Sequence, residues 1–248
     1  MTPDVVDIAK SVAIDLAGDA RMTMPPSRRP IPALVWERRA WRAGKLVVAG
    51  VDEVGRGAWA GPLVAAAVVV PAEPSARAQL TRALNRAGAV VRDSKQLSAA
   101  QRSRVVEVVQ GLGIPMAISE VSVEIIDQVG VGRANKLALR EAASTVRPGV
   151  DHVLVDAFEV PGLNCTHDAI VHGDSVSLSI ALASIIAKTH RDQIMTEMAE
   201  EWPVYQFQLH KGYGTAAHRL ALATYGPTPH HRTSFAPVAE SLADVVAN

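Results

Sequence analysis

Two mostly apolar runs, residues 47–51 and 63–70, flank a polar segment punctuated by Gly55, Gly57, Gly61 and Pro62. β-rich runs joined by a Gly/Pro-marked connection predict adjacent strands. Residues 33–43 read as a short helix leading into the first strand. Helices follow over 75–87 and 98–110, the second with Ser98 as its N-cap. Residues 116–123 read as a third strand and 122–129 as a short helix or turn. Ala134, Leu137, Ala138 and Ala142 make a helical stripe that stops at Arg147-Pro148-Gly149. HVLVDAF, from His152, predicts a short buried strand ending on Asp156, and AIVHGD, from Ala169, another ending on Asp174. Residues 177–201 form a long helix. Its first half, SLSIALASIIA, is apolar nearly all round and should be buried. Three successive strands followed by strand–helix alternation predict an α/β fold, a mixed central β-sheet flanked by helices.

Outside this pattern lie two segments. Val5, Ile8, Ala9, Val12, Ala13 and Leu16 share one helical face, and Pro25, Pro26, Pro30 and Pro32 mark a linker after it. The expected division is therefore an N-terminal appendage over 1–32, the main domain over 33–200, and a C-terminal helical extension over 201–248 with a helix near 215–225.

Composition narrows the class. A chain of 248 residues buries enough surface to fold without disulfides, and its single Cys165 has no internal partner, which suits a reducing cytoplasm. Lys+Arg and Asp+Glu balance at 25 each, so bulk charge does not mark a nucleic-acid binder. The distribution is uneven, however. Residues 202–239 contain no acid, but hold Lys211, Arg219, Arg232 and four histidines. Acids near the start argue against a secretory signal, and the longest apolar run is 15 residues with Gly61-Pro62 inside it, too short to span a bilayer. The expectation is a cytoplasmic monomer with no membrane and no obligate protein partner.

The chemistry concentrates in four acids. Asp52, Asp156 and Asp174 end apolar runs, and Glu53 adjoins the first. In an α/β sheet functional groups collect at strand ends. Adjacent strand residues point to opposite faces, so Asp52 and Glu53 share a site only where the strand ends or bulges. Crowded carboxylates repel unless cations compensate them, and oxygen-only ligands suit Mg²⁺ or Mn²⁺. Two such ions would activate a water and stabilise the leaving oxygen of a phosphodiester. Gly55-Arg56-Gly57 offers unshielded backbone N–H groups beside a cation, a phosphate or sugar contact, although a plain turn explains it equally well in isolation. His210-Lys211-Gly212-Tyr213-Gly214 combines a cation, glycines and a ring able to stack on a base or sugar. Lys95, in the Asp93-Ser94-Lys95 loop, and His172, before Gly173-Asp174, are further candidate phosphate contacts. Lys188 and Arg191-Asp192 read instead as structural ion pairs.

Taken together, GVDEVGRG, RDSKQLS, VLVDA, HGDS…ASIIAKTHRD, HKGYGT and YGPTPHHRTSFAPV resemble, in order, the motifs of bacterial ribonuclease HII. The resemblance runs from about Leu34 to Val238. It implies an RNase H-like fold and a metal-dependent endonuclease acting on RNA–DNA hybrids and on single ribonucleotides embedded in duplex DNA. Cleavage would fall 5′ of the ribonucleotide, leaving 3′-hydroxyl and 5′-phosphate ends. It implies that Asp52, Glu53, Asp156 and Asp174 form the metal-binding quartet, that Gly55, Arg56 and Gly57 contact the 2′-hydroxyl, and that Tyr213 sits at the RNA–DNA junction. This chain departs from the family at His172, where Lys is usual, and at Ala58-Trp59, where Pro-Leu is frequent; at His172 an always-charged cation becomes one that titrates near neutrality. Three rival readings compete with it: a nuclease of the same fold acting on plain DNA, against which Gly55-Arg56-Gly57 and Tyr213 argue; a hybrid-binding protein without catalysis, against which the acidic quartet argues; and a small-molecule phosphohydrolase, where the basic segment 202–239 favours a polymeric substrate instead.

Overall fold

The computed structural model describes residues 32–147 and 149–247. Apart from Pro32, the expected appendage lies outside them, as does Pro148 of the predicted helix stop. The described residues form one compact unit.

Helix α1 (Val35–Arg42) leads into β1 (Val48–Val54), which turns back as β2 (Leu63–Val69). Helix α2 (Pro74–Arg86), a 3-10 turn (Ser94–Gln96) and α3 (Ala99–Gly111) precede β3 (Met116–Val121). Ser98 and Gln101 close a reciprocal capping box at the start of α3, which is why that helix begins where it does. Then come α4 (Val123–Val129), α5 (Val131–Thr145), β4 (His152–Asp156), β5 (Thr166–Ile170), α6 (Gly173–Val176) and the 24-residue α7 (Leu178–Glu201). The extension holds α8 (Phe207–His210), α9 (Ala216–Tyr225) and α10 (Ala236–Ala247). The last of these has no counterpart in the predicted pattern.

The five strands run in the order β3-β2-β1-β4-β5. β1, β2 and β3 pair antiparallel, while β1–β4 and β4–β5 are parallel, so the sheet is mixed as expected. Strand alternation sorts the core into two layers. Ala49, Val51, Leu63, Ala65 and Ala67 face Ala134, Ala138 and Leu139 of α5. Val64, Ala66 and Val68 face Leu80, Val105, Leu182 and Ile185 of α2, α3 and α7. Each large apolar side chain buried this way contributes about 1.5–3 kcal/mol. The first half of α7 is buried on nearly every side, because β1 and β2 cover one flank and α3 another. Its second half carries the extension, through Met195, Met198, Tyr205 and Phe207. The start of α7 is held by a buried acid: Glu37 of α1 accepts from Ser177 Oγ at 2.7 Å, Ser179 N at 2.8 Å and Ser179 Oγ at 2.7 Å.

Candidate active site

The ladder between β1 and β4 ends at Val51↔Val155. Asp52, Glu53 and Asp156 therefore lie just past its last rung, where the two central strands part. β1 itself continues to Val54, paired only with β2 on its other edge. Asp52 keeps to the face of α7, beside Ser184, and Glu53 keeps to the face of α5, beside Asn135. Strand alternation is thus obeyed, and the missing β4 neighbour opens one crevice to both faces.

Asp174 differs from its expected place. β5 stops at Ile170, four residues before the end expected from the apolar run. His172 adopts the left-handed conformation (φ 55°) and reverses the chain into α6, which carries Asp174 in its only turn. The Gly173 N–H then donates to Asp156 Oδ1 at 2.7 Å, so the turn is tied to the neighbouring strand end. A local reading extended the strand because Ala169–Val171 continues its apolar pattern; the αL reversal follows from that long-range bond.

Burial and crowding raise the carboxylates. Burial pushes Asp52 well above its usual range, helped by Glu53 and Asp156. Burial, then Asp156, lifts Glu53 to about 7 against the pull of Arg56. Asp156 is raised by burial and by Asp174, and is lowered by the Gly173 N–H, His172 and Lys95. Arg56, Lys95 and His172 are all exposed around this cluster, so the structure brings these predicted cations to the acids. The Arg56 guanidinium also lies 4.9 Å from the Phe158 ring centre.

Whether the set fits a divalent cation can be judged from the donors. Glu53 Oε2 is buried and has no hydrogen-bond partner. A buried carboxylate oxygen without a donor, among carboxylates raised by burial and mutual repulsion, fits a cation ligand. Among the described residues no three His, Cys, Asp or Glu side chains already converge to hold a metal ion. Mg²⁺-type sites commonly use one or two carboxylates and take the remaining ligands from water and substrate phosphate, so the oxygen-only donors fit.

The other predicted residues fall into two groups. Gly55 (φ 89°) must be glycine, since a Cβ there would meet Arg191 Nε at 2.2 Å; at Gly57 a Cβ meets nothing within 4 Å. Tyr213 is 38% exposed, with the Arg191 guanidinium 5.7 Å from its ring centre. Lys211 is directed along α7, donating to Asp192 O at 3.2 Å and Thr196 Oγ1 at 3.4 Å. Trp59 packs against Gly214 and receives Arg219 over its ring at 5.1 Å, so the departure after Gly57 is absorbed between the two loops.

Several residues escaped the sequence reading. Lys188 and Arg102 pair with Asp192 as ion pairs, but Arg191 does not join them. It is fully buried and donates to the carbonyls of Pro62 (2.9 Å), Ala60 (3.0 Å) and Lys211 (2.9 Å). Arg232, also buried, donates to Gly61 O and Arg56 O. Two buried cations bonded to loop carbonyls leave no local signature in sequence. Asn135 and Ser184, beside the acids, likewise look like ordinary helix residues.

This sheet order, with carboxylates gathered where the central strands part, defines a nuclease of the ribonuclease H type. Its fold is similar to that of ribonuclease H2 from Pyrococcus horikoshii (TM-score 0.64, 24% identity, covering 81% of this chain and 99% of that one). It is also similar to Bst-RNase HIII in complex with Mn²⁺ (TM-score 0.63, 21% identity, covering 98% and 81%). The family model of ribonuclease HII matches residues 49–238. Ribonuclease HII of Oceanobacillus iheyensis is 44% identical over 203 residues, 82% of this chain and 73% of the relative. That of Rhodospirillum rubrum is 48% identical over 197 residues, 79% and 87%. The chain belongs to the ribonuclease HII family. It is an endoribonuclease H, a divalent-metal-dependent enzyme of the class that cleaves the RNA strand of RNA–DNA hybrids. Among the described residues no helix is long and apolar enough to cross a membrane.

Proposed function

We propose that this protein also nicks duplex DNA 5′ of a single embedded ribonucleotide, leaving 3′-hydroxyl and 5′-phosphate ends. Asp52, Glu53, Asp156 and Asp174 are the proposed metal-holding residues, for two Mg²⁺ or Mn²⁺ ions. The observation that carries the reading is one buried guanidinium that bridges two loops. Arg191 bonds the carbonyls that follow Gly55-Arg56-Gly57 and the carbonyl of Lys211, two residues before Tyr213. The Gly55-Arg56-Gly57 segment, which begins two residues past Glu53, and the Tyr213 loop are thereby held at a fixed spacing.

The proposed roles follow from chemistry. Divalent cations held there would lower the pKa of the attacking water and offset charge on the phosphate. Asp52 and Glu53 contribute anionic oxygens whose burial makes them costly without such compensation. Gly57, open on its outer side, lets a sugar approach backbone, and a 2′-hydroxyl can both donate and accept there. Arg56, Lys95 and His172 are placed to neutralise phosphates flanking the cut. Tyr213 stacks on the sugar or base at the junction. Lys211 contributes to the positive potential of the same wall. The proposed protein is a cytoplasmic monomer whose main domain, 33–200, is completed by the substrate-binding extension 201–248, with 1–32 peripheral.

The test is cleavage of a duplex carrying one ribonucleotide beside its all-DNA counterpart, in Mn²⁺ or Mg²⁺, with Asp52→Asn alongside. Metal-dependent cutting of the first duplex alone, lost in the variant, is the expected result. Equal cutting of both duplexes would refute ribose recognition, and wild-type activity in Asp52→Asn would refute the site. Removing residues 1–32 should leave this activity intact.

A further inference from the structure

Behind Tyr213 lies a layer of three imidazoles. His218 and His231 are buried, and His210 stacks on His218 with ring centres 4.4 Å apart. Their tautomers follow from the backbone. The Thr228 N–H donates to His231 Nδ1 at 2.9 Å, and an amide can only donate, so the His231 proton is on Nε2. That Nε2 faces His218 Nε2 at 3.0 Å, which must accept. The His218 proton is therefore on Nδ1, which donates to the Tyr213 carbonyl at 3.0 Å. His210 is fixed the same way, accepting from Gly212 N at 3.2 Å and donating to Tyr205 O at 2.7 Å. Each ring of the pair holds one proton in one place. A second proton on either would set two donors against each other. Around the pair stand Trp59, Tyr205, Phe207 and His210, with His230 near His231; His230 itself pairs with Glu201 at 3.3 Å. Among the described residues neither ring pairs with a carboxylate.

We propose that the His218–His231 hydrogen bond is a latch that positions Tyr213, making both histidines positioning residues for recognition of the single-ribonucleotide junction. The inference rests on the reading of Tyr213 given above. Among the described side chains that hold this loop, only His218 bonds the peptide of Tyr213 itself. Lys211 (φ 53°) and Gly212 (φ 79°) are consecutive positive-φ residues, and the loop mixes local bonds, the Tyr213 N–H on His210 O and the Thr215 N–H on Tyr213 O, with outside partners, Arg191 on Lys211 O and the Trp59 N–H on Gly212 O. His231 is in turn fixed by the other loop. It bridges Ala60, with the Gly61 N–H on His230 O at 2.9 Å and the Arg232 N–H on Trp59 O at 2.7 Å. The latch thus connects the segment after Gly55-Arg56-Gly57 to Tyr213 itself, while Arg191 on Lys211 O and the Trp59 N–H on Gly212 O (2.8 Å) tie the same two loops two residues and one residue earlier.

The full chain would be assayed on a duplex with one embedded ribonucleotide and on a continuous RNA–DNA hybrid of equal length. His218→Leu and His231→Leu should lower kcat/KM on the first substrate about tenfold more than on the second. His218→Asn keeps an N–H near the position of Nδ1 and should recover most of that selectivity. Tyr213→Ala should show the same selectivity loss, with no further loss when His231→Leu is added. Equal losses on both substrates in the histidine variants, with selectivity still lost in Tyr213→Ala, would overturn the latch. Unchanged selectivity in Tyr213→Ala would overturn the reading of Tyr213 and the latch with it. Nitrogen NMR of the histidine-labelled wild type gives a check independent of variant folding. One Nδ1–H ring coupled to one Nε2–H ring is expected; two Nε2–H rings would refute the latch.

Discussion

Replacing Arg191 by methionine should destabilise the protein, and replacing it by lysine should be no better. Arg191 is fully buried and donates to three backbone carbonyls at 2.9, 3.0 and 2.9 Å. Burial lowers its pKa, with Tyr213 and Asp192 opposing the shift. Methionine fills much of the stem's volume but supplies no donor, so all three carbonyls lose their partners. At about 1–1.5 kcal/mol for each unmade bond the loss is about 3–4.5 kcal/mol. Removing a buried cation returns part of its desolvation cost, which brings the expected net to about 2–4 kcal/mol. Lysine keeps the charge buried, and its single ammonium cannot reproduce the planar fork that serves three carbonyls. It therefore loses bonds without regaining desolvation and should cost at least as much as methionine. Urea denaturation followed by tryptophan fluorescence gives the ranking, since Trp59 and Trp202 both lie near the affected loops or α7. Lysine within about 0.5 kcal/mol of wild type would refute the account, because surface substitutions cost that little.

Gly55→Ala and Gly57→Ala should separate folding from contact. The first places a Cβ 2.2 Å from Arg191 Nε at φ 89°, and should cost about 3 kcal/mol in a melt; the second meets nothing within 4 Å, and should lose nicking of the ribonucleotide duplex with its midpoint unchanged. Acid should unfold the protein through the histidine pair: burial holds His218 at about 4 and His231 at about 3, against 6.5 when unfolded. Their folded pKa values are depressed, so the unfolded chain binds more protons below pH 6.5; stability is full above that point and falls by about 2 kcal/mol per histidine by pH 5. Replacing His231 by Gln should flatten that slope by one proton in pH-dependent denaturation, and an unchanged slope would refute the assignment. Glu37→Ala strips the acceptor from Ser177 Oγ, Ser179 N and Ser179 Oγ, and should cost about 3 kcal/mol, read as a lower thermal midpoint.

Local pattern determined most of the elements, though not the last helix or the bounds of β5. The apolar runs of β1 and β2, the Ser98 cap and the all-round apolar start of α7 are local facts, and each of these elements formed where its pattern indicated. The same local signal fixed which acids follow apolar runs, and motif order made the family legible. Three things were decided only in three dimensions. The crevice exists because the β1–β4 ladder stops at Val51↔Val155, a register that neither strand encodes by itself. Asp174 left its expected strand end because a bond from Gly173 to Asp156, 17 residues back, stabilises a left-handed His172. Arg191 looked like half of an ion pair with its neighbour, yet its guanidinium reaches Pro62, 129 residues away in sequence. Hydrophobic period reports which face of an element is buried, because burial repeats with the backbone's own geometry. It carries no information about which buried polar group will meet which carbonyl, since that depends on how distant segments pack.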